Sequence, residues 1–260
     1  MQKWRWLWPI LMILILLVFV QADKKDKAAG VVTICFDDAR DNVFTMAFPE
    51  LAYYNLPATL FVIPGAIQDQ PSWHLSWPQI KILAANSWEI ASHSQTNPHL
   101  TRLRPEEVEK ELRLSKQTLE EHGFLATSFA PPYGEFNEAI AAQVKKYYGS
   151  LRGTERYLAE KLPSALNSLN DRDVDPYQIA AIELYYEFGF ETTKKIIVQA
   201  VKEGKWAVFY LHGITPDHPV PADYLFNLFE LRKMVKYLHE QMKQGRLKVM
   251  TISGFLATRG

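Results

Sequence analysis

The chain has 260 residues, enough for one large α/β domain or two small domains. Lys and Arg total 29, and Asp and Glu also total 29, so there is no net basic field to collect nucleic acid non-specifically. A composition that is 48% hydrophobic and 22% charged excludes a wholly disordered chain, and the single cysteine, Cys35, excludes an internal disulfide and a cysteine-rich metal site.

Residues 1–22 are predicted to form a signal peptide or a membrane anchor. Lys3 and Arg5 make the start positive, the run from Trp6 to Val20 carries no charge, and Val20-Gln21-Ala22 resembles a small-residue cleavage site. The apolar run is short for a membrane-spanning helix, which needs ~20 residues, and a buried core helix is disfavoured because the run has no polar face. We therefore expect an extracytoplasmic protein that is secreted, periplasmic or anchored to the membrane by this segment alone.

After a polar linker over residues 23–30, strands and helices alternate along one domain, residues 31–260. Repeated strand–helix units imply a parallel sheet, either open or closed into a (β/α) barrel, and residues 149–189 are the least readable. In chain order the pattern predicts strand Val31–Phe36, helix Val43–Tyr54 capped by Asn42, strand Ala58–Ile63, helix Trp77–Ala85 capped by Ser76, strand Trp88–Ala91, helix Pro105–His122, strand Thr127–Phe129, helix Asn137–Tyr148, helix Glu191–Lys202, strand Trp206–Leu211, helix Tyr224–Met242 and strand Leu247–Ile252.

Polar residues follow four of the predicted strands, at the ends where α/β proteins carry their chemistry. One of two adjacent acids at a strand end can bind a cation while the other stays free as a base. His93 and Asn97, four residues apart, would share one face of a helical turn, as metal ligands do. Taken singly, each motif also fits a solvated turn, a capping turn or a structural histidine. The four motifs are Phe36-Asp37-Asp38, the run from Ser92 to Leu100, Pro131-Pro132-Tyr133-Gly134, and Leu211-His212-Gly213.

Together the motifs closely resemble the NodB-type polysaccharide deacetylases, carbohydrate esterase family 4. The resemblance covers about residues 31–255 and rests on the order and rough spacing of all four motifs. It implies that residues 31–260 form a polysaccharide deacetylase catalytic domain, the NodB homology domain, with a distorted (β/α) barrel fold.

The resemblance also implies a role for each motif residue. Asp37 would be the general base, and His212 would protonate the leaving amine. The metal and the backbone N–H of Tyr133 would stabilise the tetrahedral oxyanion, with Pro132 and Leu211 lining the substrate pocket. A divalent metal, zinc ahead of cobalt or nickel, would be held by three side chains and water. These three are Asp38, His93 and Asn97.

This chain departs from the family pattern at three places. Asn97 stands where a second histidine is usual, and an amide oxygen is a weaker zinc ligand than imidazole. His99, two residues further on, is the alternative third ligand. Ala130 replaces the arginine that often opens the third motif, as in a branch that includes poly-N-acetylglucosamine deacetylases, and this leaves the protonation of Asp37 open. No clear Asp-Trp motif is present, and the stretch Asp173–Ile179 near its expected place is given no catalytic role.

The sequence therefore predicts an exported, metal-dependent carbohydrate N-deacetylase, a hydrolase of carbon–nitrogen bonds other than peptide bonds. Its expected substrate is an N-acetylglucosamine-containing polysaccharide of a cell wall or exopolysaccharide, with no nucleic-acid partner. Two alternatives remain: a non-catalytic carbohydrate-binding relic of the same fold, and a deacetylase of a small amide or ester.

Overall fold

The computed structural model describes residues 29–69, 73–154, 169–216 and 224–259. The predicted signal or anchor segment and nearly all of the polar linker lie outside these residues, so both stay predictions. Within the described ranges, no helix combines the length and the apolar character needed to cross a membrane.

Eight parallel strands form the central sheet of the described chain, and two short parallel strands form a second sheet. The strands are β1 Gly30–Phe36, β2 Thr59–Val62, β3 Glu89–Ser92, β4 Ser128–Phe129, β5 Ser150–Leu151, β6 Ile182–Glu183, β7 Trp206–Leu211 and β10 Leu247–Val249, with β8 Gly213–Thr215 and β9 Leu225–Asn227 in the small sheet. The order in the central sheet is β5-β4-β3-β2-β1-β7-β6, with β10 paired to the first half of β1.

Helices connect most of the strands. Along the helix Pro105–Glu121, four residues are buried at steps of three and four, which is the stripe expected for a helix packed against a sheet: Val108, Leu112, Ser115 and Leu119. The helices are α1 Phe48–Tyr53, which continues a π-helical turn at Val43–Ala47, α2 Pro64–Asp69, α3 Trp77–Ala85, α4 Pro105–Glu121, α5 Glu138–Val144, α6 Phe190–Glu203, α7 Leu228–Lys243 and α8 Ile252–Ala257.

The central sheet curls until its two edges meet. Beyond β5, Arg152 forms an isolated parallel bridge to Ile179, and Gly153 donates its N–H to the Ile179 carbonyl at 2.8 Å. A few residues later the same segment becomes β6, which pairs with β7 at the other edge. One short segment thus links both edges, and the predicted distorted (β/α) barrel is confirmed.

Several predicted boundaries were wrong because local capping was missed. The helix predicted from Tyr224 begins at Leu228, since the Asn227 side chain caps it by accepting from the Phe229 N–H at 2.8 Å. The last predicted strand ends at Val249, and Thr251 then caps α8.

One further expectation was wrong nearer the start of the chain. The Asn42 side chain does not cap a helix; its Oδ1 accepts from the Ile214 N–H at 3.3 Å. Strand β2 ends at Val62, and Pro64-Gly65 then begins α2, because proline fits the first turn of a helix.

Strand β1 is buried on both faces, as the central strand of a parallel barrel should be. Its even-numbered side chains Val32, Ile34 and Phe36 pack under the surrounding helices. Its odd-numbered side chains Val31 and Cys35 point to the barrel interior with Trp206 and Tyr210, so the Cys35 thiol is buried. This alternation decides which of the two following acids enters the barrel.

Gly30 tests the packing of β1 against α6. A Cβ at this position would lie 2.8 Å from the Cα of Val201, a backbone atom that cannot give way. We expect Gly30→Ala to lower the free energy of unfolding by roughly 1–3 kcal/mol in urea titrations. Gly149→Ala is the control, because its Cβ would meet only the Thr127 carbonyl at 3.6 Å. Equal stability of the two variants would contradict this packing.

Candidate active site

Asp37 and Asp38 directly follow β1, and their side chains point in different directions. Asp37 continues the odd-numbered series into the barrel and is 2% exposed, with its N–H donated to the Leu211 carbonyl at 2.9 Å. Asp38 adopts a left-handed backbone with φ 68°, followed by Ala39 at 53°. The turn therefore places Asp38 on the rim, where it is partly exposed.

Arg152 is the partner of Asp37, and the sequence analysis missed it. Its Nη2 donates to both carboxylate oxygens of Asp37, at 2.7 and 2.6 Å. The guanidinium is completely buried and lies over the rings of Phe61 at 4.9 Å and Tyr210 at 4.5 Å. The arginine that is missing at position 130 is thus replaced by Arg152, which directly follows β5.

This ion pair answers the question about the protonation of Asp37. Burial alone would raise the pKa of its carboxyl group. The positive charge of Arg152, with smaller contributions from His93 and His212 and the hydrogen bonds from Arg152, outweighs burial and holds the pKa below its usual value. Asp37 is therefore a buried carboxylate that stays ionised at neutral pH.

His93 is buried at the end of β3 and its ring is held in one orientation. Its Nδ1 lies 2.8 Å from the Ala130 carbonyl, and its Nε2 lies 3.7 Å from Oδ1 of Asp38. Burial lowers the pKa of His93, which favours the neutral ring. A neutral ring that donates from Nδ1 keeps the Nε2 lone pair for a ligand on the Asp38 side.

The loop from Ser94 to Asn97 is built to present the Asn97 amide. Ser94 and Asn97 are both left-handed, with φ 64° and 60°, and the Ser94 hydroxyl accepts from the Asn97 N–H at 3.0 Å. Glu111 of α4 holds the loop by accepting from the backbone N–H groups of Gln95 and Thr96, at 2.9 and 2.8 Å.

Asn97 Oδ1 is buried without a hydrogen-bond partner. A buried carbonyl oxygen left without a partner costs free energy, so a missing ligand explains it well. Among the described residues no three His, Cys, Asp or Glu side chains gather as a metal group, so the third donor beside Asp38 and His93 would be this amide. One carboxylate, one imidazole and one amide oxygen form a donor set that suits a divalent cation.

His99 is engaged elsewhere. Its ring stacks on Tyr133 with a centroid distance of 3.8 Å and an interplanar angle of 11°. Its Nδ1 lies 3.0 Å from Oε2 of Glu135, which also accepts from Thr101.

His212 follows β7 and faces a second residue that the sequence analysis missed. Its Nδ1 is buried without a hydrogen bond and lies 3.6 Å from Oε1 of Glu183, a carboxylate that is only 4% exposed at the end of β6. The Asp173–Ile179 stretch does not contribute this carboxylate: Asp175 accepts from the Tyr177 N–H on an exposed turn.

These side chains surround two adjoining cavities at one end of the barrel. The outer cavity measures about 320 Å³ and the inner one about 20 Å³, room for roughly one water-sized group. His93, Tyr133, Glu183 and His212 line both cavities. The outer cavity adds Asp38, Arg40, Asn97 and Tyr224, and the inner adds Asp37, Pro131, Gly134, Thr154 and Tyr210. Tyr133 has φ 59°.

Two predicted pocket residues are buried. Pro132 lies in the short 3-10 turn with Tyr133, and Leu211 belongs to the core at the end of β7. Contact of either residue with a substrate stays a prediction.

Comparison with known proteins supports the resemblance that the motifs indicate. Residues 24–149, just under half of the chain, match the polysaccharide deacetylase family. This match confirms the resemblance to the polysaccharide deacetylases. The peptidoglycan-N-acetylglucosamine deacetylase PgdA of Listeria monocytogenes is 26% identical over 122 residues, 46% of this chain and 25% of that protein. The chitin deacetylase 3 of Cryptococcus neoformans is 26% identical over 159 residues, 59% of this chain and 36% of that protein.

Solved structures of carbohydrate esterases and deacetylases share the fold. A family 4 acetyl xylan esterase from Clostridium thermocellum, solved with a cobalt ion, superimposes with a TM-score of 0.58 at 18% identity, over 88% of this chain and 92% of that one. The peptidoglycan deacetylase PdaC of Bacillus subtilis gives a TM-score of 0.53 at 19% identity, over 90% and 93% of the two chains. The match to PgdA covers about a quarter of the length of that relative.

The buried ion pair predicts a large stability loss when only one partner is removed. Arg152→Met leaves the Asp37 carboxylate buried without its cation, and we expect the free energy of unfolding to fall by roughly 3–5 kcal/mol in urea titrations. Adding Asp37→Asn should restore part of that loss, because no charge then remains to be desolvated. If the double variant loses the sum of the two single losses, the pair is not coupled as the structure indicates.

Proposed function

We propose that this polysaccharide deacetylase hydrolyses N-acetyl groups of an N-acetylglucosamine-containing polysaccharide with the help of a divalent metal. The observation that carries the proposal is the arrangement around the two cavities. A buried, ionised Asp37 and a rim histidine, His212, line them together with the donors Asp38, His93 and Asn97. This supplies a base, an acid and a cation site within one pocket.

Asp38, His93 and Asn97 would hold the metal, with zinc ahead of cobalt or nickel. When bound, such a cation supplies Lewis-acid chemistry, polarising the acetyl carbonyl and making a bound water more acidic. His99 is a weaker candidate ligand, because its ring is already stacked on Tyr133 and bonded to Glu135. The amide in place of a second imidazole is expected to lower zinc affinity.

The protein's own groups divide the proton transfers between them. Asp37 accepts the proton of the attacking water, and Arg152 keeps this carboxylate charged and in place. The Tyr133 backbone N–H donates to the developing oxyanion. His212 gives a proton to the leaving amine, which is a poor leaving group without it. Glu183, whose Oε1 lies 3.6 Å from Nδ1 of His212, orients the ring for this transfer.

The substrate class and the cellular location come from different observations. The names of the relatives, a peptidoglycan-N-acetylglucosamine deacetylase and a chitin deacetylase, support a polymer of N-acetylated sugars. The predicted signal or anchor segment at residues 1–22 supports action outside the cytoplasm, where such polymers lie.

Metal titration tests the donor set without any choice of substrate. After removal of metal with a chelator, we expect the protein to bind one Zn²⁺ with a Kd of ~1 μM or tighter by calorimetry. Asp38→Ala should abolish this binding, and Asn97→Ala should weaken it about 10-fold or more. His99→Ala should leave the affinity within about twofold. Failure of the parent to bind Zn²⁺, Co²⁺ or Ni²⁺ would instead favour a carbohydrate-binding protein without activity.

Glu183 gives a separate test of the acid. We expect Glu183→Gln to lower kcat for acetate release from N-acetylglucosamine oligomers by roughly 10- to 100-fold, because a neutral amide then replaces the carboxylate that faces Nδ1 of His212. Zinc affinity should be unchanged. Glu187→Gln is the matched control, since Glu187 is exposed on the same segment and its side chain accepts a hydrogen bond from the Tyr186 hydroxyl, outside the cavities. A Glu183→Gln enzyme with nearly full kcat would remove Glu183 from the mechanism.

A further inference from the structure

The aromatic ring of Tyr133 lines the site but has no role in the proposed chemistry. Only its backbone N–H enters the mechanism, yet the ring lines both cavities and the residue is 48% exposed. A tyrosine half exposed at a pocket mouth would be free to change rotamer unless something holds it.

His99 holds this ring from one side. The two rings are nearly parallel, with an angle of 11° and a centroid distance of 3.8 Å, so one face of Tyr133 is covered. Glu135 fixes His99 through Nδ1 at 3.0 Å and is itself bonded by the Thr101 hydroxyl at 3.0 Å. Hydrogen bonds from His99 and Thr101 lower the pKa of Glu135, which keeps it an acceptor at neutral pH. The result is a ring whose orientation is set before any ligand arrives.

The position of the ring indicates what it meets. Tyr133 shares the outer cavity with Asp38 and Asn97, which would hold the metal, and with His212, which would protonate the leaving amine. A sugar whose acetyl group reaches those residues extends toward the cavity mouth. Pyranose rings present a face of C–H groups, and an aromatic face with one open side is the natural surface for them.

The geometry points to Tyr133 as a preorganised platform on which a sugar ring of the polysaccharide stacks, with His99 as the positioning residue that holds it. The inference rests on the proposed function, because it assigns a role within that same site. It gives His99 a task that is different from binding metal.

The test separates stacking from metal binding with three variants of the full chain. His99→Ala should raise KM for an N-acetylglucosamine tetramer about 3- to 10-fold, with kcat and zinc affinity within about twofold. His99→Phe keeps a flat ring against Tyr133, so KM should stay within about twofold of the parent. His122→Ala is the matched control: His122 stacks on Trp77 at 3.6 Å and does not line either cavity described above, so KM should not change.

A binding measurement tests the stacking on Tyr133 without requiring that the protein be catalytically active. Calorimetry of the metal-free protein with the same tetramer should give a Kd that rises about 3- to 10-fold in His99→Ala and not in His99→Phe. If the parent binds the tetramer but releases no acetate, the proposed deacetylation fails while the platform stands. Four results overturn the platform: no binding by the parent, an unchanged Kd in His99→Ala, a Phe variant as weak as Ala, or lost zinc affinity in His99→Ala.

Discussion

The site depends on one buried ion pair. Asp37 lies inside the barrel because β1 alternates its side chains and the acid continues the inward series. A carboxylate in that position would become neutral without compensation, and a neutral acid cannot act as a base. Arg152 prevents this with two hydrogen bonds to the carboxylate and a full charge, at the expense of burying its own guanidinium between two aromatic rings.

The pair also links chemistry to closure of the barrel. Arg152 donates its backbone N–H to the Phe129 carbonyl on one side and bridges to Ile179 on the other, at the seam where the two sheet edges meet. The segment that starts at Ile179 continues to Glu183, the partner of His212. The residues that orient the base and the acid therefore come from the two sides of the same seam, so the contacts that close the barrel also place these two residues.

This arrangement explains what the sequence could and could not reveal. The strands β1 and β7 are long apolar runs, so their bounds and the polar groups after them are readable, and Trp77–Ala85 is capped as its sequence indicates. Strands β5 and β6 contain two residues each, which leaves no periodicity to detect. Arg152 and Glu183 reach the site only through pairing between distant segments. A single sequence shows them as ordinary charges in an unreadable stretch.

Left-handed backbone conformations are concentrated in the motif loops that form the site. Among the described residues, eight non-glycine residues have positive φ. Five of them lie in the motif loops of the site or directly after one: Asp38, Ala39, Ser94, Asn97 and Tyr133. Such conformations persist only where surrounding contacts determine them, here Glu111 under one loop and His99 against another. Asparagine tolerates the left-handed region better than most residues. The amide at position 97 therefore fits the sharp turn of its loop and still offers an unpaired oxygen to the cavity. A change that looks like decay of a metal site in the sequence is, in the folded chain, compatible with a working donor.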